Sequence, residues 1–307
     1  EVNMQNTFEI IDKSFERLID NSELSTLATG FTFIEGPVWH NNSLLFSDIP
    51  NSRIIKYELR KEGPSVNTFR HPSGNSNGMT LDLNNNLIVC EHSNRRVTST
   101  NSEGLITEIA SEYNGMKLNS PNDVVVKSDG WIYFTDPPYG LPERFESMEK
   151  RKDGKELDFN GVYKVRPDGS DLSLIISNMT VPNGLAFSPD ESALYVADSF
   201  ELIIKKYNVS QDGTVDSGIN FADLNTGEEG APDGMKVDRD GRLFSTGPNG
   251  IWVFDSSANL LGKIFTPAIP ANCGWGLDGN TLFITARKSL YSITLNTYGI
   301  PTGSQSI

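Results

Sequence analysis

A hairpin pattern recurs six times along the chain, and no other feature restricts the fold as tightly. Each copy opens on a side chain that carries an oxygen: Glu35, Asn77, Asn122, Asn183, Asp233 and Asn272. A short apolar strand follows, then a polar turn such as Ser128-Asp129-Gly130 or Arg239-Asp240-Gly241. A second strand comes after the turn, as in Trp131-Ile132-Tyr133-Phe134. Asp-Gly between apolar runs is a strong hairpin signal, because both residues tolerate the backbone of a tight turn. The openings are spaced by 42, 45, 61, 50 and 39 residues. Each period leaves room for two more strands, such as Gly161-Val162-Tyr163-Lys164-Val165 and Leu172-Ser173-Leu174-Ile175-Ile176. Four strands per period of this length is the signature of a propeller blade.

The ends of the chain point to closure of a ring. The sixth copy has a third strand near Ser289 to Thr294 but then runs into a polar, Gly- and Pro-containing tail. Glu23-Leu24-Ser25-Thr26-Leu27-Ala28 reads as a strand with no blade of its own. It is expected to complete blade six, which removes two exposed sheet edges. The expected fold is therefore all-β, a six-bladed β-propeller whose last blade is closed by an N-terminal strand. The expected organisation is one domain over 1–307, with an N-terminal extension at 1–22 and an insertion at 141–160. A sandwich with loose repeats is the alternative, and six in-phase hairpins disfavour it.

Charge narrows the partners. Asp and Glu number 40 against 26 Lys and Arg, a net charge of −14. Such a chain repels nucleic acid and anionic membranes and attracts cations. No apolar run is long enough for a membrane-spanning helix. A soluble protein is expected, cytoplasmic or periplasmic/secreted, as monomer or homodimer. Cys90 and Cys273 read as two isolated buried thiols. Gly274-Trp275-Gly276-Leu277-Asp278-Gly279 fits a dinucleotide fingerprint but leads into a strand, where that motif needs a helix. No G-x-S-x-G elbow occurs.

In a propeller the first strand of each blade lines the axis, and an antiparallel hairpin returns the second strand to the same end. The six openings and the second-strand ends Asp48, Glu91, Asp136 and Asp198 should thus share one face. Six acids would then crowd the axis there, counting Glu35 and Asp233. Crowded carboxylates repel unless a cation sits among them. Carboxylate and amide oxygens together favour calcium, with magnesium, manganese or zinc as alternatives. For any single opening, Asn or Asp before Gly is also ordinary turn chemistry.

The sequence resembles the gluconolactonase family that includes regucalcin (senescence marker protein 30). The resemblance runs from about Leu24 onward. It rests on Glu35-Gly36-Pro37-Val38-Trp39, Cys90-Glu91-His92-Ser93-Asn94-Arg95-Arg96, Ser120-Pro121-Asn122-Asp123, Thr135-Asp136-Pro137-Pro138-Tyr139-Gly140, Pro182-Asn183-Gly184-Leu185 and Pro232-Asp233-Gly234-Met235. The bacterial lactonase branch is the most similar. The resemblance implies a lactone hydrolase holding one metal through Glu35, Asn122, Asn183 and Asp233, with Asp233 as general base. Regucalcin-type members carry a substrate-contacting Arg where this chain has Ser120, so their sugar preference does not transfer.

A metal polarises a lactone carbonyl, and a carboxylate or imidazole accepts a proton from the attacking water. His92 is the alternative base on the residues alone, because it follows Glu91 at the end of a second strand and histidine is the side chain suited to proton transfer near neutral pH. Asn77, His92, Tyr139, Asn272 and Arg287 are the expected substrate contacts. The stretch 141–160 is mostly charged and emerges on the same face, where it is placed to act as a lid or wall. The expected substrate is a small lactone such as gluconolactone. A calcium-dependent esterase or organophosphatase of paraoxonase type, and a propeller that only binds calcium or a ligand, are the competing functions.

Overall fold

The computed structural model describes residues 7–141 and 154–303. Most of the 141–160 insertion therefore lies outside the described residues. Among the described residues the chain forms six antiparallel sheets arranged as a six-bladed propeller and one small two-stranded sheet, Glu112–Tyr113 with Met116–Lys117. The innermost strands run Ile34–His40, Ser76–Leu81, Val124–Val126, Pro182–Phe187, Met235–Val237 and Asn272–Gly276 in blades one to six. Each blade then steps outward through three more antiparallel strands. Blade six takes its outer strand from Ser25–Thr29, which pairs with Ser289–Thr294. The ring is closed by the N-terminal strand, as the pattern of orphan strands predicts.

Burial explains the strand sequences. The two inner strands of a blade are covered on both faces by neighbouring blades, so Ser43–Asp48, Leu87–Glu91 and Ala193–Asp198 are buried along their whole length. The third strand Arg53–Arg60 alternates and becomes exposed at its end. The apolar core is accordingly divided among the gaps between successive blades. Val38, Leu45 and Ile54 of blade one meet Met79, Leu81 and Val89 of blade two. Phe31, Ile34 and Phe46 meet Phe283 and Leu290 across the gap between blades six and one. Trp39 stacks on Phe283 at 5.6 Å between ring centroids.

The N-terminal residues read as an extension add to the propeller. Phe8–Ile10 pairs with Leu260–Phe265 as a fifth strand on blade five. The helix Lys13–Leu18, capped by Asp12, buries Phe15 and Leu18 against the core between blades five and six. Among the described residues no helix is long and apolar enough to cross a membrane.

The gap between the last and first blades is where the two ends of the chain meet. Phe283 is fully buried there. Phe283→Ala is expected to lower stability by about 3–5 kcal/mol, the cost of deleting a buried aromatic ring. Chemical denaturation monitored by tryptophan fluorescence measures it.

Candidate active site

The six opening residues sit at the axial ends of the inner strands, and backbone contact holds them together. Gly78 N–H donates to the Asn122 carbonyl at 2.8 Å, and Gly184 N–H donates to the Asp233 carbonyl at 3.0 Å. Between these pairs, Ser47 Oγ donates to the Asn77 carbonyl at 2.8 Å and Thr135 Oγ1 to the Asn183 carbonyl at 2.7 Å. Each bond links one blade to the next. The glycine after an opening residue is explained by this approach: a Cβ on Gly184 would lie 2.0 Å from the Asp233 carbonyl oxygen. Turn geometry is not the cause at that position.

Second-strand acids have a different role from the one their number suggests. Asp48 Oδ1 accepts from the amides of Thr32 and Phe33 at 3.1 and 3.3 Å. Asp136 Oδ2 accepts from the Asn119 amide at 2.7 Å. Asp198 accepts from Thr180 and Val181 at 2.8 and 3.1 Å. In all three blades the acid grips the loop just before the opening residue. Glu91 is held instead by Arg96, Thr98 and Asn94. The expectation that six acids crowd the axis is corrected: Asp48, Glu91 and Asp198 spend their oxygens on amides, hydroxyls and arginines, and Asp136 gives Oδ2 to the Asn119 amide while its Oδ1 finds no donor among the described residues. Burial still pushes Asp136 up to about 7, against the amides of Asn119 and Ser120.

Three other carboxylates do converge: Glu35, Asp233 and Asp123. Glu35 is buried, and desolvation followed by the charges of Asp233 and Asp123 raises its pKa well above the usual range. Asp233 is partly exposed and is pushed up to about 8, by desolvation and then by Asp123, with Asn183 offsetting part of the shift. Asp123 is also raised by desolvation. The Lys236 ammonium lowers both Glu35 and Asp123 but does not cancel the burial.

Amide oxygens complete the cluster. Asn77, Asn122 and Asn183 each present a buried Oδ1 that finds no hydrogen-bond donor among the described residues. Asn183 spends its NH2 on Ser199 Oγ at 2.9 Å, and Asn77 lies 3.1 Å from His92 Nε2. Their free oxygens, with Glu35 and Asp233, form a hard-oxygen donor set of mixed charge, which suits a cation such as calcium. Among the described residues no three or more His, Cys, Asp and Glu side chains are placed to hold an ion by themselves, so an ion here would depend on the amides. The residues present fit a divalent cation.

The remaining expected contacts are spread around this centre. His92 is buried beneath the loop 137–141, and a Cβ on Gly140 would lie 2.5 Å from His92 Cβ. Tyr139 lies in that loop and is half-exposed. Ser120 is fully buried; its Oγ donates to the Pro137 carbonyl at 2.6 Å and accepts from Gly140 N–H at 2.8 Å. The serine thus ties down the loop 137–141 and is itself buried. Arg287 pairs with Glu229 at 2.7 Å, joining the sixth blade to the loop that enters the fifth. Asn272 is buried and donates to both oxygens of Glu35 at 3.0 and 3.1 Å. Sequence reasoning did not single out Asp123, Ser199 or Lys236. Asp123 had a signal: it follows Asn122 where most blades have glycine.

Residues 33–288 match the family described as SMP-30/Gluconolactonase/LRE-like region. The chain belongs to this family. A gluconolactonase from Zymomonas mobilis is 35% identical, over 91% of this chain and 83% of that protein. The structure of a gluconolactonase from Xanthomonas campestris superposes with a TM-score of 0.85 at 34% identity, covering 94% of this chain and 95% of that one. The structure of a calcium-binding regucalcin from Agrobacterium tumefaciens gives 0.73 at 15% identity over 92% and 97% of the two chains, which shows a shared fold.

The acid grip on the preceding loop is open to test. Asp198 receives the amides of Thr180, Val181, Phe200 and Glu201. Asp198→Ala is expected to cost more than about 2 kcal/mol, because buried donors lose their acceptor. Urea denaturation reads the loss, and Asp198→Asn should restore part of it.

Proposed function

We propose that this protein hydrolyses a sugar lactone such as gluconolactone, using one divalent cation, calcium, held by Glu35, Asn122, Asn183 and Asp233. The observation that carries this reading is the meeting of carboxylates whose pKa values are raised, Glu35 and Asp233, with buried amide oxygens that lack donors. Family membership and the lactone-hydrolase relatives support the reaction class.

A bound divalent cation supplies Lewis acidity toward a carbonyl oxygen and charge stabilisation as that oxygen gains electrons. The chain's own residues divide the rest. Glu35 is sealed and clamped, so it serves as a ligand. Asp233 is the carboxylate of the cluster that reaches solvent, and its backbone is fixed by the hydrogen bond its N–H donates to Thr246 Oγ1 at 2.8 Å. It takes the proton of the attacking water and passes it to the ring oxygen as the acyl C–O bond breaks. His92 is turned toward Asn77 and orients that amide. The product hydroxy acid loses a proton at neutral pH, and the net charge of −14 favours its departure.

Removing the base has a defined cost. Asp233→Asn is expected to lower kcat/KM for gluconolactone by about 10²–10⁴-fold, the usual contribution of a positioned acid–base group. A pH-stat assay over gluconolactone, xylonolactone and a phenyl ester, with and without EDTA, measures it. A rate that survives both Asp233→Asn and EDTA would contradict the proposal.

Proton linkage gives a second check. A carboxylate whose folded pKa is raised destabilises the metal-free fold as pH climbs from its ordinary value near 3.8 toward about 8, as for Asp233. Calcium relieves that penalty. The rise in melting temperature on adding calcium should therefore be larger at pH 8 than at pH 5. An equal or reversed increment would argue against an ion at these carboxylates.

A further inference from the structure

Asn272 differs from the other amides of the axial ring. Asn77, Asn122 and Asn183 leave their side-chain oxygen without a donor. Asn272 Oδ1 is already occupied, accepting the Cys273 amide at 2.8 Å. Its NH2 donates to both Glu35 oxygens at 3.0 and 3.1 Å and lies 3.4 Å from Asp123 Oδ2. Its rotamer is fixed from the third side by blade five. A Cβ on Gly234 would stand 1.9 Å from Asn272 Cγ, so the glycine leaves the space the amide fills. The side chain is 1% exposed, which leaves no surface for a substrate to touch.

We infer that Asn272 is a positioning residue of the centre: a locked amide from blade six that sets the plane of the Glu35 carboxylate in blade one and aims its remaining lone pairs at the ion. The inference rests on the metal reading above and adds a residue to it. A carboxylate offers about four lone-pair positions. Asn272 engages one on each oxygen and leaves the others to a ligand. Asp123 stands behind the amide, with its other oxygen fixed by the Val124 amide at 2.9 Å. The chain of bonds thus runs from Asp123 in blade three through Asn272 to Glu35, across the axis. Partners of this kind fix a ligand before the ion arrives, and losing one typically costs 10–100-fold in metal affinity.

The test is calcium binding by titration calorimetry on the metal-free protein, beside lactone kinetics at saturating calcium. Asn272→Leu keeps the side-chain volume and removes the donors; Asn272→Ala is the second variant. The expected result is a dissociation constant for calcium raised about 10–100-fold. The lactone KM at saturating calcium should stay near that of the wild type, and the metal-free melting temperature of each variant, measured alongside, reports the separate cost of the lost Cys273 hydrogen bond. Unchanged calcium affinity with a raised KM would overturn the inference and make Asn272 a substrate contact. Unchanged values of both would overturn it as well. Glu35→Gln separates the two levels. If it binds calcium like the wild type, the metal reading itself is wrong. If it loses calcium while the Asn272 variants keep it, only the positioning role fails.

Discussion

The close approach of inner strands at the propeller axis is the constraint on which the site depends. Backbone N–H groups and hydroxyls of one blade reach the carbonyl of the next blade's opening residue, as Gly184 does to Asp233 and Ser47 to Asn77. Glycine permits that distance, and the opening side chains have nowhere to go but inward or along the axis. Each anchor is then steadied from behind. In blades one, three and four, an acid at the end of the second strand holds the amides of the loop that leads into the anchor. The polar centre is therefore built by backbone geometry first and by side-chain chemistry second.

That order explains the electrostatics. Carboxylates from blades one, three and five are brought together by strand packing and not by attraction. Burial raises the pKa of all three, repulsion adds to the shift of Glu35 and Asp233, and Lys236 offsets it only in part for Glu35 and Asp123. Such an arrangement costs stability unless a cation compensates it. Amide oxygens left without donors carry a similar cost. Sites that break the rule of satisfied buried polar groups are commonly functional ones.

The fold was legible because it repeats. Six hairpins with turn residues in phase leave few alternatives, and the orphan strand near Ser25 marked the closure. The six anchors were legible as residue types at a shared position, from which only the family resemblance picked Glu35, Asn122, Asn183 and Asp233; the structure adds the unpartnered oxygens of Asn77, Asn122 and Asn183. What escaped was any role decided by a neighbour in another blade. Asp48, Asp136 and Asp198 look like site acids in one dimension, yet their partners are amides about 15 to 20 residues upstream. Asn272 looks like its fellow anchors, and only the adjacent Gly234 and the distant Glu35 show that its amide is already committed. The pairing of Phe8–Ile10 with blade five rests on three residues with no strong alternation, too short for a periodic signal.

The central claim is that an ion binds where these blades meet. Diffraction from crystals grown with calcium, or with a lanthanide for its anomalous signal, tests it directly. The expected result is a single strong peak on the axis, with oxygens of Glu35, Asn122, Asn183 and Asp233 at about 2.3–2.6 Å. A fully active protein with no peak at that position would contradict it.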